Sequence, residues 1–190
     1  MKIYLIRHGE TEGNVKHVLI GQSESPLTKK GLEQAKKLSN RLKNKNIDII
    51  FSSPSSRAQD TAKEILKNHS DVEYILDNRI MERNFGLYEG KTRLEDWDWS
   101  NLPEGVETDK EVFQRVKSFL QEINEKYEDK NILISCHAGT KINILPILTK
   151  QPIKDWVNVV MPNTSFSEFE LLEDGTYKIH TLNCTKHLEE

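Results

Sequence analysis

Cysteine is scarce in this 190-residue sequence, which contains only Cys136 and Cys184, far apart in the chain. A disulfide framework or a paired-cysteine zinc site needs more thiols at closer spacing, so the sequence indicates neither. We expect two buried thiols in a reducing compartment. Long apolar runs and a basic leader with a cleavage site are also lacking. The sequence therefore predicts a cytoplasmic protein with no membrane partner.

An excess of either charge is lacking as well. The chain has 27 basic and 30 acidic residues, which are interspersed and give a net charge of −3. This balance predicts no general attraction to nucleic acid. Four histidines, at positions 17, 69, 180 and 187, lack metal-ligand spacing and stand in polar settings, so we expect surface or cap roles for them. Without repeats or linkers, we expect one domain over 1–190, with a monomer and a homodimer both open.

Short apolar runs alternate with helical patterns along most of the chain. Such alternation favours a three-layer α/β/α sandwich around a mostly parallel sheet. Two alternating segments near the C-terminus, joined by Glu173-Asp174-Gly175, predict a closing antiparallel hairpin at or near a sheet edge. The predicted strands are Ile3–Ile6, Ile47–Phe51, Tyr74–Leu76, Asn131–Cys136, Ser165–Leu171 and Tyr177–Leu182.

Helix starts are marked by capping residues. Thr28 is expected to cap a helix that carries Leu32, Ala35, Leu38 and Leu42 on one face. Ser53 suits an N-cap with Pro54 at the first helical position. Thr108 and Glu111 form a capping box before a third, strongly amphipathic helix. The fourth helix, from Thr140 to Leu148, contains Pro146 and is expected to be short or kinked. Residues 10–26 are predicted as a long loop, and residues 81–107 as irregular with at most a short helix near Leu94–Trp99.

Three predicted strands end in residues that suit chemistry. Arg7 and His8 follow the first strand, Arg57 falls in the first turn after the second, and His137 follows the fourth. Ligands of open α/β sheets bind at the carboxyl ends of the strands, so these side chains would converge if the strands are neighbours. Two guanidinium groups and two imidazoles would repel one another unless they share a dianion, and phosphoryl is the commonest small group that needs so many donors.

Five blocks, spread over most of the chain, share one order with a known family. The blocks are Leu5-Ile6-Arg7-His8-Gly9-Glu10-Thr11 with Asn14; Pro26-Leu27-Thr28 with Gly31, Gln34 and Ala35; Ser52-Ser53-Pro54 through Arg57-Ala58 and Thr61-Ala62; Glu82 before Phe85-Gly86 and Glu89-Gly90; and Ser135 to Gly139. Together they resemble the histidine phosphatase superfamily, the phosphoglycerate mutase-like proteins, and within it the phosphatase branch.

The resemblance implies a metal-independent and cofactor-free enzyme that works through a phosphohistidine. His8 would attack phosphorus, while Arg7, Arg57 and His137 would hold the phosphoryl oxygens. Glu82 would protonate the departing oxygen and later activate water. His8 must be neutral to attack, and the neighbouring arginines should lower its pKa.

Two further positions match the family's phosphoryl-binding pattern. Asn14 corresponds to a side chain that contacts the phosphoryl group, and the backbone N–H of Ala138 would add a donor beside His137. For the acid, Glu10, Glu89 and Asp96 are alternatives to Glu82.

Two other segments resemble known motifs but do not meet their requirements. A cysteine-phosphatase loop would need an arginine six positions after Cys136, where Ile142 stands, so Cys136 is interpreted as a core residue. The run Gly86–Thr92 has one residue too few between its glycines for a nucleotide-binding P-loop.

The choice between hydrolase and mutase depends on the cover over the site. A mutase must shield its phosphohistidine from water. The mutases of the family that this sequence resembles are longer chains, with an insertion between the acid and the second histidine. Here only 55 positions separate Glu82 from His137, which leaves no room for such an insertion, and the segment Trp97–Pro103 is the candidate lid. We therefore expect a phosphomonoesterase acting on a small phosphorylated metabolite. A cofactor-dependent phosphoglycerate mutase and a catalytically silent phosphate-binding module remain the alternatives.

Overall fold

A computed structural model describes residues 1–92 and 102–189 and shows a mixed α/β fold around one six-stranded sheet. The strands are β1 (Lys2–Arg7), β2 (Ile49–Ser52), β3 (Glu73–Leu76), β4 (Ile132–Cys136), β5 (Phe166–Leu171) and β6 (Tyr177–Cys184). The α-helices are α1 (Glu12–Val15), α2 (Lys29–Leu42), α3 (Ser56–Leu66), α4 (Asp109–Lys126) and α5 (Ala138–Thr149). Short 3₁₀ turns cover Asn78–Ile80, Gly86–Tyr88, Ile153–Asp155 and Lys186–Leu188.

The strand order in the sheet is β3-β2-β4-β1-β5-β6. Strands β1 to β4 run parallel, while β5 is antiparallel to both β1 and β6. The predicted α/β class, the mostly parallel sheet and the C-terminal hairpin at a sheet edge are therefore confirmed. This order places β2, β4 and β1 side by side, so the chain segments that follow them leave the sheet at one edge.

The sheet separates two apolar cores, because alternate residues of a strand face opposite sides. Ile3 and Leu5 of β1 pack with α4 and α5, whereas Tyr4 and Ile6 pack with α2 and α3. The same alternation occurs in β2 and β4. Helices thus cover both faces of the central strands, which explains why these strands read as continuous apolar runs rather than alternating ones.

Helix caps follow the sequence in two cases and depart from it in one. Thr28 caps α2 by accepting from Gly31 N at 2.9 Å, and Thr108 forms the predicted capping box with α4. The prediction that Ser53 caps α3 is wrong, because Ser55 holds that position and Pro54 precedes the helix. Arg57 still falls in the first turn, so its placement at the sheet edge is unaffected.

Other expectations need correction. Residues 10–26 are not entirely a loop, because they contain the helix α1. This helix has a capping box, but its 4 residues are too few to produce a hydrophobic period. Leu32 is 38% exposed because it lies at the margin of the apolar face of α2. His187 is buried rather than at the surface, and Cys184 is only partly buried. The predicted helix near 94–99 lies outside the described residues.

Glycines allow the turn after β1 to pack directly on the start of α2. A Cβ on Gly31 would lie 2.0 Å from the backbone oxygen of Glu10, and a Cβ on Gly9 would lie 2.5 Å from the oxygen of Gly31. Neither contact can be relieved by a side-chain rotation, since both neighbours are backbone atoms. The turn that carries His8 is therefore pressed against α2. Among the described helices, none combines the length and the apolar character that a bilayer crossing requires.

Candidate active site

A cavity of about 150 Å³ opens at the carboxyl edge of β1, where the sequence places the chemistry. The predicted residues Arg7, His8, Asn14, Arg57 and Glu82 all line it. Leu19, Gly21 and Phe85 complete much of the wall. The described geometry thus gathers cations, one imidazole and one carboxyl around a space large enough for a phosphoryl group.

The ring of His8 is held in one tautomer by the turn that follows it. Its Nδ1 lies 2.7 Å from the carbonyl oxygen of Gly9, and the side chain is buried. A carbonyl oxygen can only accept, so Nδ1 carries the proton and a neutral ring has its lone pair on Nε2. An imidazole in this state presents a nucleophilic nitrogen.

Burial lowers the pKa of His8 well below its ordinary value, and the nearby Arg7 and Arg57 guanidinium groups lower the pKa further. The direction agrees with the sequence expectation. Its main cause differs, because removal of the ring from water contributes more than the arginines. Desolvation disfavours the charged imidazolium, so the neutral ring is the stable form at neutral pH.

His137 lies beside His8, with 5.2 Å between the ring centroids and 60° between the ring planes. Its Nε2 is 2.8 Å from the hydroxyl of Ser53, at the end of the adjacent strand β2, and the side chain is fully buried. Burial, together with the neighbouring cationic groups, lowers the pKa of His137 well below its ordinary value. His137 therefore lies directly against the ring of His8.

Arg57 is buried and Arg7 is partly buried, and backbone carbonyls hold both side chains. Arg57 donates from Nη2 to Gly21 O at 2.6 Å and from Nη1 to Ser23 O at 2.9 Å, and Arg7 donates from Nη1 to Met161 O. Within the described residues, the Nε atoms of both arginines and Nδ1 of His137 are buried without a hydrogen-bond partner. The Nε–H groups of the two arginines can only donate, and buried donors that lack acceptors are rare in folded proteins, so a bound anion is a natural partner for them.

Glu82 lines the cavity and lies against the start of α5. Its Oε2 accepts from Gly139 N at 3.1 Å, and its Oε1 accepts from Arg83 N at 2.9 Å. A Cβ on Gly139 would lie only 2.4 Å from the Glu82 carboxyl, so glycine permits this approach. The carboxyl therefore has a fixed place beside this cavity.

Asn14 caps the first turn after the nucleophile loop, where its Oδ1 accepts from Thr11 N at 3.2 Å. Ala138 begins α5, immediately after His137. It lines a neighbouring cavity rather than the cavity that His8 lines. The alternatives to Glu82 have other contacts: Glu10 pairs with Lys30, and Glu89 accepts from Gln22 N at 2.8 Å. Asp96, like most of the predicted lid Trp97–Pro103, lies outside the described residues.

A second cavity, of about 440 Å³, adjoins the first and shares Leu19, Glu82 and Phe85 with it. Ile142 and Val157 add apolar surface, while Asp109 and Asn158 add polar groups. Because Glu82 borders both spaces, its carboxyl would face the oxygen that joins a phosphoryl group in the first cavity to an organic group in the second.

Cys136 is confirmed as a core residue, since it is fully buried and burial raises the pKa of its thiol to about 12. A thiol in this state is not a nucleophile at neutral pH. Across the part of the chain that the structure describes, no group of three or more His, Cys, Asp or Glu residues could hold a metal ion.

Sequence reasoning missed the residues that hold the nucleophile loop in place. Gly9 N donates to Thr61 Oγ1 at 3.0 Å, and Asn163 Nδ2 donates to His8 O at 3.1 Å. Thr61 lies in a block that resembles the family, which was a usable signal. Asn163 offered none, because its role depends on β5 being the neighbour of β1.

Comparisons with known proteins identify the family of this chain. Residues 3–185 match the histidine phosphatase superfamily (branch 1). The adenosylcobalamin/alpha-ribazole phosphatase of Salmonella typhimurium is 33% identical over 168 residues, which span 80% of this chain and 81% of the relative. Phosphoserine phosphatase 1 of Hydrogenobacter thermophilus is 28% identical over 203 residues, spanning 100% and 95%. A mutant phosphoserine phosphatase from Entamoeba histolytica, solved in complex with phosphoserine, superimposes with a TM-score of 0.85 at 26% identity and 98% coverage of each chain.

Proposed function

Because the chain belongs to the histidine phosphatase superfamily (branch 1), whose relatives reported above are phosphatases, we propose that it hydrolyses small phosphate monoesters through a phosphohistidine on His8. The observation that carries the proposal is the buried His8 ring. It is neutral, carries its proton on Nδ1, and lines a cavity that the guanidinium groups of Arg7 and Arg57 also line.

In the first step, Nε2 of His8 attacks phosphorus and forms an N–P bond as the bond to the ester oxygen breaks. Negative charge is spread over the three phosphoryl oxygens in flight, and Arg7 and Arg57 supply the compensating charge. Their contacts with backbone carbonyls hold the guanidinium groups before the substrate arrives. Little reorganisation is then needed at the moment of transfer.

Glu82 protonates the ester oxygen as it leaves. Its carboxyl is fixed by Gly139 N and borders both cavities, which suits a proton donor that must reach the bridging oxygen. In the second step, the carboxylate takes a proton from water, which attacks phosphorus and releases phosphate. His8 thereby returns to its neutral form, and the roles of acid and base are exchanged.

His137 helps to hold the phosphoryl oxygens beside His8, and Asn14 supplies a donor to the phosphoryl group. The adjoining cavity receives the organic part of the ester. Relatives named for alpha-ribazole phosphate and for phosphoserine make both ester types reasonable substrates to test. In this proposal no metal ion takes part, because the guanidinium groups provide the charge.

The experiment uses p-nitrophenyl phosphate with EDTA present. Wild-type protein should release p-nitrophenol in a burst and accumulate acid-labile phosphoenzyme, whereas His8→Ala should do neither. Glu82→Gln should still form phosphoenzyme from this activated ester, since its leaving group needs no proton, but should hydrolyse it slowly. His180→Ala is the matched control and should keep full activity, because His180 is an exposed residue of β6 that pairs with Glu170.

Two results would count against the proposal. Full turnover by His8→Ala would show that His8 is not the nucleophile, and loss of activity in EDTA would show that the enzyme needs a metal ion. Interconversion of 3- and 2-phosphoglycerate after priming with a bisphosphate would instead establish the mutase alternative. Phosphate binding without any turnover would establish the silent binding module.

A further inference from the structure

The segment of residues 161–165, which leads into β5, lies directly against the strand that carries the nucleophile. Arg7 is held twice by it: the backbone N–H donates to Ser165 O at 3.2 Å, and Nη1 donates to Met161 O. This segment is not part of any motif with an assigned role. It nevertheless contacts both the main chain and the side chain of a proposed phosphoryl-binding residue.

Asn163 makes two side-chain contacts from this segment. Its Nδ2 lies 3.1 Å from His8 O and 3.1 Å from Asn14 Oδ1. Thr11 N also donates to Asn14 Oδ1, at 3.2 Å, which identifies that atom as the amide oxygen. Asn163 must therefore present its nitrogen. Both bonds to the Asn14 amide use its oxygen, so its donor end is left for the cavity that Asn14 lines.

The same contact reaches the nucleophilic ring through one peptide unit. His8 O accepts from Asn163 Nδ2 and from Thr164 N at 3.2 Å, while Gly9 N donates to Thr61 Oγ1 at 3.0 Å. The plane of the His8–Gly9 peptide is thus held at both ends. The carbonyl of Gly9, which follows it, accepts the proton on His8 Nδ1. The orientation of the ring therefore depends on a peptide that Asn163 holds.

We propose that Asn163 is a positioning residue that holds the His8 ring and the donor end of the Asn14 amide in one geometry around the phosphoryl group. The proposal deepens the proposed function and rests on it. Its physical basis is that transfer requires the attacking nitrogen in line with the bond that breaks, so a displacement of about 1 Å can cost roughly 100-fold in rate.

Groups other than Asn163 also hold the segment, and Lys141 Nζ contacts its main chain, 3.3 Å from Ser165 O. Lys141, fully buried in α5, donates to Ser165 Oγ at 2.8 Å, and His187 Nε2 is 3.2 Å from Thr164 Oγ1. Arg41 Nη1, which can only donate, lies 3.2 Å from Nδ1 of His187. Thr164 itself has a φ of 54°, a rare conformation for a β-branched residue that its surroundings must enforce. Truncation of Asn163 should therefore remove its two contacts and leave the backbone in place.

The test compares Asn163→Ala and Asn163→Asp with a matched control, Asn124→Ala. The control removes the side-chain oxygen of Asn124, which accepts from Tyr177 OH at 2.7 Å. Asn124 lies on α4 and is not one of the residues that line the cavity. The rate constant of the burst of phosphoenzyme formation is measured with p-nitrophenyl phosphate in saturating excess over enzyme. We expect Asn163→Ala to lower it by about 10- to 100-fold. Asn163→Asp should lower it further, because a carboxylate would face two oxygen acceptors, while Asn124→Ala should match wild type.

At saturating substrate the burst rate constant is independent of the folded fraction, which appears only in the burst amplitude. A normal rate constant in Asn163→Ala, with or without a smaller amplitude, would overturn the proposal. A double-mutant cycle with Asn14→Ala should show sub-additive losses, because both side chains act through one contact. Fully additive losses would remove the link to Asn14.

Affinity for inorganic phosphate, measured by calorimetry, provides a readout that does not need turnover. Asn163→Ala should bind phosphate several-fold more weakly than wild type and Asn124→Ala. If wild type forms no phosphoenzyme but this difference in affinity is found, the proposed function fails and the positioning role in the anion site stands. If wild type forms phosphoenzyme and the variant matches it in rate and affinity, the positioning role alone fails.

Discussion

Substitution of Lys141 by methionine should change the stability of this protein in a way that depends strongly on pH. Lys141 is fully buried in α5, and burial lowers the pKa of its ammonium group from 10.5 to about 7. An unfolded chain keeps this lysine protonated up to about pH 10. Between pH 7 and pH 10 the unfolded state thus binds one more proton than the folded state. Because of this difference, the free energy of unfolding rises with pH over that window, by about 1.4 kcal/mol per pH unit.

The magnitude follows from the size of the pKa shift. A change of about 3.5 units corresponds to roughly 5 kcal/mol of destabilisation below pH 7, where the buried lysine is charged in both states. Methionine removes that cost but leaves Ser165 Oγ without its 2.8 Å partner, which costs about 1–3 kcal/mol. Lys141→Met should therefore be more stable than wild type at pH 6, by roughly 2–4 kcal/mol. The two proteins should be nearly equal at pH 9.

Urea unfolding at pH 6, 7, 8 and 9 provides the measurement, with the difference in unfolding free energy taken at each pH. That difference should shrink by about 3 kcal/mol from pH 6 to pH 9. Lys117→Met, which removes an exposed lysine from α4, is the control and should give a difference that does not change with pH. A pH-independent difference for Lys141→Met would show that the buried ammonium is not the titrating group, and the reasoning would fail.

Three further predictions concern the site and the turn beside it. Arg57→Lys should lower kcat/KM for p-nitrophenyl phosphate by about 10²- to 10³-fold, because a lysine cannot keep both carbonyl contacts of Arg57 and still present a planar donor pair. An effect below threefold would contradict the placement of Arg57 at the phosphoryl group. Gly31→Ala should destabilise the protein by about 2 kcal/mol or more in urea unfolding, since its Cβ would meet a backbone oxygen at 2.0 Å, and unchanged stability would argue against that packing. Cys136→Ala should keep kcat within about threefold of wild type, because a thiol with a raised pKa in the core does not react, and a large loss of kcat would reopen a cysteine mechanism.

The sequence predicted the parts of the site that depend on local pattern. Arg7, His8, Arg57 and His137 could be placed because each follows a recognisable buried strand, and parallel strands direct their carboxyl ends to one edge. Glu82 follows no such strand. It was assigned only through resemblance to a family, since its local segment has neither strand nor helix periodicity.

Tertiary structure decided the features that depend on contacts between distant segments. Asn163 reaches His8 because β5 pairs with β1, and Lys141 is buried because α5 packs beside that pair, yet neither fact leaves a periodic trace in the chain. The low pKa of His8 shows the same limit. Neighbouring arginines could be expected from sequence, but the larger contribution, burial, depends on how completely the surrounding elements exclude water. The sequence thus determined which groups arrive at the sheet edge, whereas the folded chain determined their protonation and orientation, because both depend on packing.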